Sequence, residues 1–157
     1  MKKNKYRLLL IALIALVIVG WAFARPMRVS GDCMEPAIHD GGLYFVNQVA
    51  PYVRQYQVGD IITFKHEGIL WYSRVAALET DTIHITEGSV VVNGIALQDT
   101  GVQRNWSNWK VGTYAVDKPF QVPAGHVYVL SDNRSAPHDD SRVFGPISKA
   151  SITGVLW

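Results

Sequence analysis

The hydrophobic and polar positions divide the chain into two unlike parts. An unbroken apolar run, residues 8–24, follows Lys2, Lys3, Lys5 and Arg7 and is closed by Arg25 and Pro26. As a helix this run is about 25 Å long, the lower end of what crosses a hydrocarbon core. From Met27 onward no helical period is sustained. Apolar residues come instead in short β-branched or aromatic runs, separated by Gly, Pro and Asn. Strands are expected at 43–46 after Gly41-Gly42, at 61–64 after Gly59-Asp60, and at 69–75 after a polar turn at 65–68. The last two read as a hairpin. Further strands are expected at 83–85 and 90–92, where Asn93-Gly94 is a strong hairpin signal. Others follow at 127–130, behind Pro123-Ala124-Gly125, and at 152–156.

Residues 51–57 read as a wide loop or edge segment. Residues 98–118 are the least patterned, with Trp106 and Trp109 expected to pack together more than to touch lipid. Many short strands with Gly and Pro turns indicate a mainly β fold, compact, with partly closed, barrel-like sheets, behind one N-terminal transmembrane helix. No repeat, linker or second domain is visible.

Charge gives the first part an orientation. Four basic residues precede the apolar run and Arg25 and Arg28 follow it, so the positive-inside bias puts the N-terminus in the cytoplasm. The expected division is a basic tail at 1–7, a single-pass cell-membrane anchor at 8–24 and an extracytoplasmic β domain at 25–157. A cleaved signal peptide is the competing reading, because Ala22-Phe23-Ala24 fits the small-x-small cleavage pattern. Both readings export the same domain.

Composition then removes several function classes. The chain has 157 residues, with 15 Lys and Arg against 13 Asp and Glu. A net charge of +2 makes no case for nucleic acid as a partner. One cysteine excludes an intrachain disulfide and a cysteine-based metal site. The five histidines lack ligand spacing, so no metal or cofactor is expected.

The chemistry concentrates in Val29-Ser30-Gly31-Asp32-Cys33-Met34-Glu35-Pro36, just past the anchor. It reads as a short strand entering a tight turn, with the chain's single thiol at the tip. Three more stretches stand out: Gly59-Asp60-Ile61-Ile62-Thr63-Phe64, Tyr72-Ser73-Arg74-Val75, and Ser131-Asp132-Asn133-Arg134 with Asp140-Ser141-Arg142 and Phe144-Gly145.

In order and spacing these four resemble the boxes of the type I signal peptidases, peptidase S26. The first is similar to S-G-x-S-M-x-P, the second to G-D-I-V-x-F, the third to K-R-V and the fourth to G-D-N-R…D-S-R-x-F-G. The resemblance implies a β domain on the outer membrane face that binds exported precursors as extended strands and cuts after small side chains. Its partners would be signal peptides or pilin precursors, and membrane lipid. Cys33 falls at the nucleophile serine, Ser73 at the general-base lysine and Ser131 at a glycine. Between Arg134 and Asp140 the chain has one residue more than the family pattern, which brings Pro137 or His138 near a serine that helps hold the lysine.

These departures change the expected chemistry. A serine hydroxyl needs a nearby base, and the family supplies a lysine amine kept neutral by apolar burial. The hydroxyl of Ser73 accepts no proton usefully. A thiol needs less help, but apolar walls around Cys33 would lower its thiolate fraction. The expectation is therefore a signal-peptidase-like protein that keeps the groove and lacks ordinary Ser–Lys catalysis, acting as an accessory or chaperone in export or surface assembly. Family pseudo-peptidases near pilus operons make that role plausible by resemblance.

The alternative is an active endopeptidase with Cys33 as nucleophile and His138, followed by Asp139 and Asp140, as base; His66 is a weaker candidate. Redox sensing through a lone thiol is a third reading. In every case Gly31, Met34 and Pro36 shape the groove, and the Cys33 backbone N–H is an oxyanion donor. Gly59, Asp60, Arg74, Asp132, Asn133, Arg134, Asp140, Ser141 and Arg142 are expected to buttress the site by ion pairs and loop hydrogen bonds.

Overall fold

The apolar run becomes α1 (Lys2–Phe23), whose described side chains are exposed along its length. Its segment Asn4–Trp21 is long and apolar enough to cross a membrane, judged by length and composition. The computed structural model describes residues 2–86, 89–98, 112–134 and 139–156. Trp106, Trp109, Pro137 and His138 lie outside the described residues.

Past α1 the chain is mainly β. β1 (Arg25–Arg28) pairs antiparallel with β2 (Leu43–Asn47), Pro26 opposite Phe45. After a one-turn helix α2 (Ala50–Val53), β3 (Ile61–His66) and β4 (Ile69–Ala77) form the expected hairpin, turning at Glu67-Gly68. β5 (Thr82–Thr86), β6 (Ser89–Val92) and β7 (Ile95–Ala96) follow, with Asn93-Gly94 between β6 and β7. Asn93 and Gly94 both have positive φ, as a tight hairpin turn requires. Then come β8 (Phe120–Gln121), β9 (His126–Leu130), the short α3 (Ser141–Phe144), β10 (Ile147–Ser148) and β11 (Ile152–Leu156).

Two sheets result. The larger has the order β1-β2-β11-β3-β4-β9-β10, and the smaller β7-β6-β5-β8. Neither closes on itself among the described residues, so the molecule is two open sheets, without a closed barrel.

β9 explains how the sheets share a core. Its Val127 and Val129 join Ile62, Phe64, Val75, Ile152 and Val155 on one face. Its Tyr128 and Leu130 meet Ile83, Ile85 and Val90 of the smaller sheet on the other. A strand buried on both faces reads as a continuous apolar run, as Val127-Tyr128-Val129-Leu130 does. A third, smaller cluster of Val29, Met34 and Ile38 packs with Ile61 and Tyr72. By the pleat, those two side chains lie on the opposite face of β3 and β4 from Ile62 and Val75.

Three expectations need correction. Residues 50–53, expected as loop or edge, form α2, with Pro51 suited to the first turn and Ala50 buried. Phe45 is exposed, so β2 is half-buried rather than buried. The segment before Cys33 is not strand up to the thiol; β1 stops at Arg28 and a loop begins.

Candidate active site

Loop 29–42 is held by its own polar groups. Val29 N–H donates to Gly42 O and Gly41 N–H donates to Val29 O, both at 3.0 Å, so the loop is pinched at its base. Met34 and Ile38 plug into the small cluster as its apolar anchor. Gly31 has φ +104°, a conformation that side chains rarely adopt, and its N–H donates to Asp40 Oδ1 at 2.8 Å. The Glu35 carboxylate meets His39 Nδ1 at 2.7 Å and the Asp40 N–H at 3.3 Å.

The far end of the sequence holds the tip of the loop in place. The buried Asn133, just beyond β9, donates its backbone N–H to Cys33 O at 2.9 Å and its Nδ2 to Asp32 O at 3.2 Å. Its neighbour Asp132 is fully buried and receives Arg74 Nε at 2.7 Å and Arg74 Nη2 on its other oxygen. Asp140 is likewise buried and accepts from Arg142 Nε at 2.8 Å, from Arg142 N at 3.0 Å and from Ser131 N at 3.2 Å. Ser141 Oγ takes the Val129 N–H, and Arg134 Nε donates to Ser131 O. At the other end of β4, Arg74 Nη1 donates to Gly59 O, while Asp60 receives both Nη groups of Arg54. These residues form a frame of paired charges around the loop.

Cys33 itself is half-buried. Among the described residues, the side chain hydrogen-bonded to its thiol is Tyr72. The Tyr72 hydroxyl also donates to the carbonyl of Ser30. Burial pushes the Cys33 thiol above its ordinary value, and the carboxylates of Asp32 and Asp132 add to the rise; the bond to Tyr72 and its own backbone N–H offset part of it. Burial, together with the neighbouring thiol, pushes the Tyr72 phenol up to about 12. Neither group is ionised near neutral pH.

Ser73 is also buried, but it pairs with Ile62 across the β3–β4 ladder. The pleat therefore turns it to the Ile62 and Val75 face, away from the face on which Tyr72 meets Cys33. His66 lies on that same far face, its ring 4.6 Å from Phe144. The structure thus brings Tyr72 and Asn133 to Cys33 and leaves His66 elsewhere. Tyr72 was missed as a contact of the thiol. The signal that could have found it was the alternation in Tyr72-Ser73-Arg74, which puts Tyr72 on the face opposite Ser73.

A cleft of about 400 Å³ runs beside this constellation, lined by Pro26, Met27, Val46, Thr63, Lys65 and Leu70 among others. Its walls are β1 on one side and the β3–β4 hairpin on the other. Leu70 stands two residues before Tyr72 on the same face, so the cleft leads toward the thiol.

The comparison with protein-family models matches residues 3–156 to the description "Signal peptidase, peptidase S26". The chain belongs to the signal peptidase family, peptidase S26. Signal peptidase I of Bacillus amyloliquefaciens is 27% identical over 150 residues, covering 94% of this chain and 80% of that protein. Signal peptidase I S of Bacillus subtilis is 28% identical over 145 residues, 90% of this chain and 78% of that one. The crystal structure of a signal peptidase I from Enterococcus faecalis aligns with a TM-score of 0.54 at 30% identity, covering 67% of this chain and 99% of the other. The family match thus takes in the apolar helix, loop 29–42 and the paired-charge frame together.

Proposed function

We propose that this signal peptidase relative binds the signal-peptide or pilin-precursor segment of an exported protein as an extended strand, and serves export or surface assembly without Ser–Lys catalysis. In this reading Cys33 stands at the nucleophile position and Ser73 at the general-base position. Residues 8–24 anchor the protein in the cell membrane, residues 1–7 stay cytoplasmic, and 25–157 form the extracytoplasmic domain. Membrane lipid is the second partner.

One observation carries the reading: the side chain bonded to the thiol is a phenol that keeps its proton. A general base must accept a proton near the working pH, and such help is typically worth 10²–10⁴-fold. Tyr72, pushed to about 12, does not supply it. A thiol raised by burial adds little nucleophile of its own. Binding asks less of the site. An unpaired β1 edge beside an apolar cleft suits strand addition, in which backbone hydrogen bonds give affinity and side-chain pockets give choice.

The test is calorimetric titration of the full chain in detergent micelles with a precursor peptide spanning its cleavage region, followed by mass spectrometry of the mixture. Binding with the peptide left intact, equal in wild type and Cys33→Ala, is the expected result. Cleavage by wild type that is lost in both Cys33→Ala and His138→Ala would establish the endopeptidase reading, with Cys33 as nucleophile and His138 as base. No affinity for any such peptide would remove the binding reading.

A further inference from the structure

The Tyr72 hydroxyl has one hydrogen and two neighbours. It donates to the Ser30 carbonyl, and it is hydrogen-bonded to the Cys33 side chain. With the hydrogen directed at Ser30, the phenol oxygen can only accept from sulfur, which requires the thiol to keep its proton. A thiolate would need that hydrogen for itself and would leave the Ser30 carbonyl unpaired.

The position of this bond matters as much as its chemistry. The cleft lies between Pro26 and Met27 on one side and Leu70 on the other. Ser30 and Tyr72 continue the same two chain segments toward Cys33, so their hydrogen bond crosses the end of the cleft nearest the thiol. The clearance there is small: a Cβ built on Gly31 would lie 3.6 Å from the Tyr72 hydroxyl. A strand laid along the cleft as far as Cys33 meets this bond first.

We propose that Tyr72 latches the empty site: its single phenolic hydrogen is held by the Ser30 carbonyl across the cleft end, and it turns to the Cys33 sulfur only when an incoming backbone N–H takes that carbonyl over. Tyr72 is then a positioning residue that couples occupation of the groove to the state of the thiol. This rests on the strand-binding reading above for its ligand. The charged groups facing the pair are Asp32 and Asp40 from loop 29–42 and Asp132 beyond β9. Asp132 is tied to Arg74 of β4, and Asp40 to the Gly31 N–H. The phenol is the one of these groups that can donate to sulfur.

Tyr72→Phe keeps the ring and removes the hydrogen. The first measurement needs no peptide: the ¹³C carbonyl resonance of Ser30 in serine-labelled full chain. Under the latch it moves in Tyr72→Phe, because the carbonyl loses its donor; an unmoved resonance overturns the proposal. The second is the pH midpoint of iodoacetamide alkylation at Cys33, the single thiol, with and without saturating precursor peptide. Steric shielding scales such a rate without moving its midpoint. The wild-type midpoint should fall on binding, with the rate relative to its plateau rising roughly three- to tenfold at pH 8, the effect of one gained hydrogen bond. Tyr72→Phe should show no such fall and should bind peptide several-fold more tightly, having no bond to displace. A wild-type midpoint unmoved by a peptide that calorimetry shows bound, or the same fall in Tyr72→Phe, overturns the latch while the groove reading stands. A Ser30 resonance that moves, with no peptide bound by either protein, supports the latch and overturns the groove reading.

Discussion

Asp132 and Arg74 meet through two hydrogen bonds across the end of β4, with the carboxylate fully buried and the guanidinium largely so. That pair joins the strand carrying Tyr72 to the segment whose Asn133 holds the Cys33 carbonyl. The candidate site is therefore a property of the frame as much as of the loop. A frame of buried charges is sensitive to losing one partner, because the other is left without compensation.

Asp140→Ala should show this most sharply. Asp140 accepts from Arg142, from the Arg142 backbone and from Ser131, all in buried surroundings. Removing it strands the Arg142 guanidinium, at a cost of about 3–5 kcal/mol. Urea unfolding of the full chain in detergent should record that loss, and a change below about 1 kcal/mol would show the pair to be incidental.

Alkaline pH should destabilise the fold. Cys33 and Tyr72 are both acids whose folded values lie above their ordinary ones, and Tyr128 is raised in the same direction by burial. The fold favours their protonated forms, so this stability is intact below the ordinary thiol value of 9.0 and is lost as pH rises toward about 12. Urea midpoints should fall between pH 9 and 11, less steeply in the Cys33→Ala, Tyr72→Phe double variant. A profile flat to pH 11 would contradict the burial of these groups.

Leu70→Glu tests the cleft. The side chain is half exposed, so folding should be unaffected. An extended precursor segment lying over Leu70 would lose apolar contact worth about 1.4 kcal/mol, or a tenfold weaker Kd. Calorimetry with the same peptide reads this directly, and unchanged affinity would place the ligand elsewhere.

Removing residues 1–24 should leave the β domain intact. The described side chains of α1 are exposed and its packing is confined to β1 and β2. The thermal midpoint of the truncated chain should match the full one to within about 0.5 kcal/mol. Flotation with lipid vesicles should fall sharply. Unfolding of the truncated chain would show α1 to be part of the core.

Much of the fold was readable in the residues. β3 and β4 followed from Gly59-Asp60 and the β-branched run after it, and β6 and β7 from Asn93-Gly94, because these signals are local. α2 was hidden because four residues give no helical period, and it is Ala50 docking on β11 that makes it a helix. The paired charges were foreseen as a set, since Asp132, Arg134, Asp140 and Arg142 have few other uses in an apolar interior. The partner of Cys33 was not. Attention fell on Ser73, and only the β3–β4 register shows that the pleat gives the thiol Tyr72 instead.

The hydrogen bond from Asn133 Nδ2 to Asp32 O joins residues 101 positions apart. Contacts of such separation form late, since the intervening chain must be closed into a loop before they are gained. In a chain emerging N-terminus first, α1 and loop 29–42 appear early, while Asn133 and the Arg142–Asp140 pair arrive near the end of synthesis. Until then the Cys33 loop has its own pinch at Val29 and Gly42 but no brace behind the thiol. The site is thus a late assembly, completed only when the last fifth of the protein is across, which delays binding until export of the chain itself is nearly done.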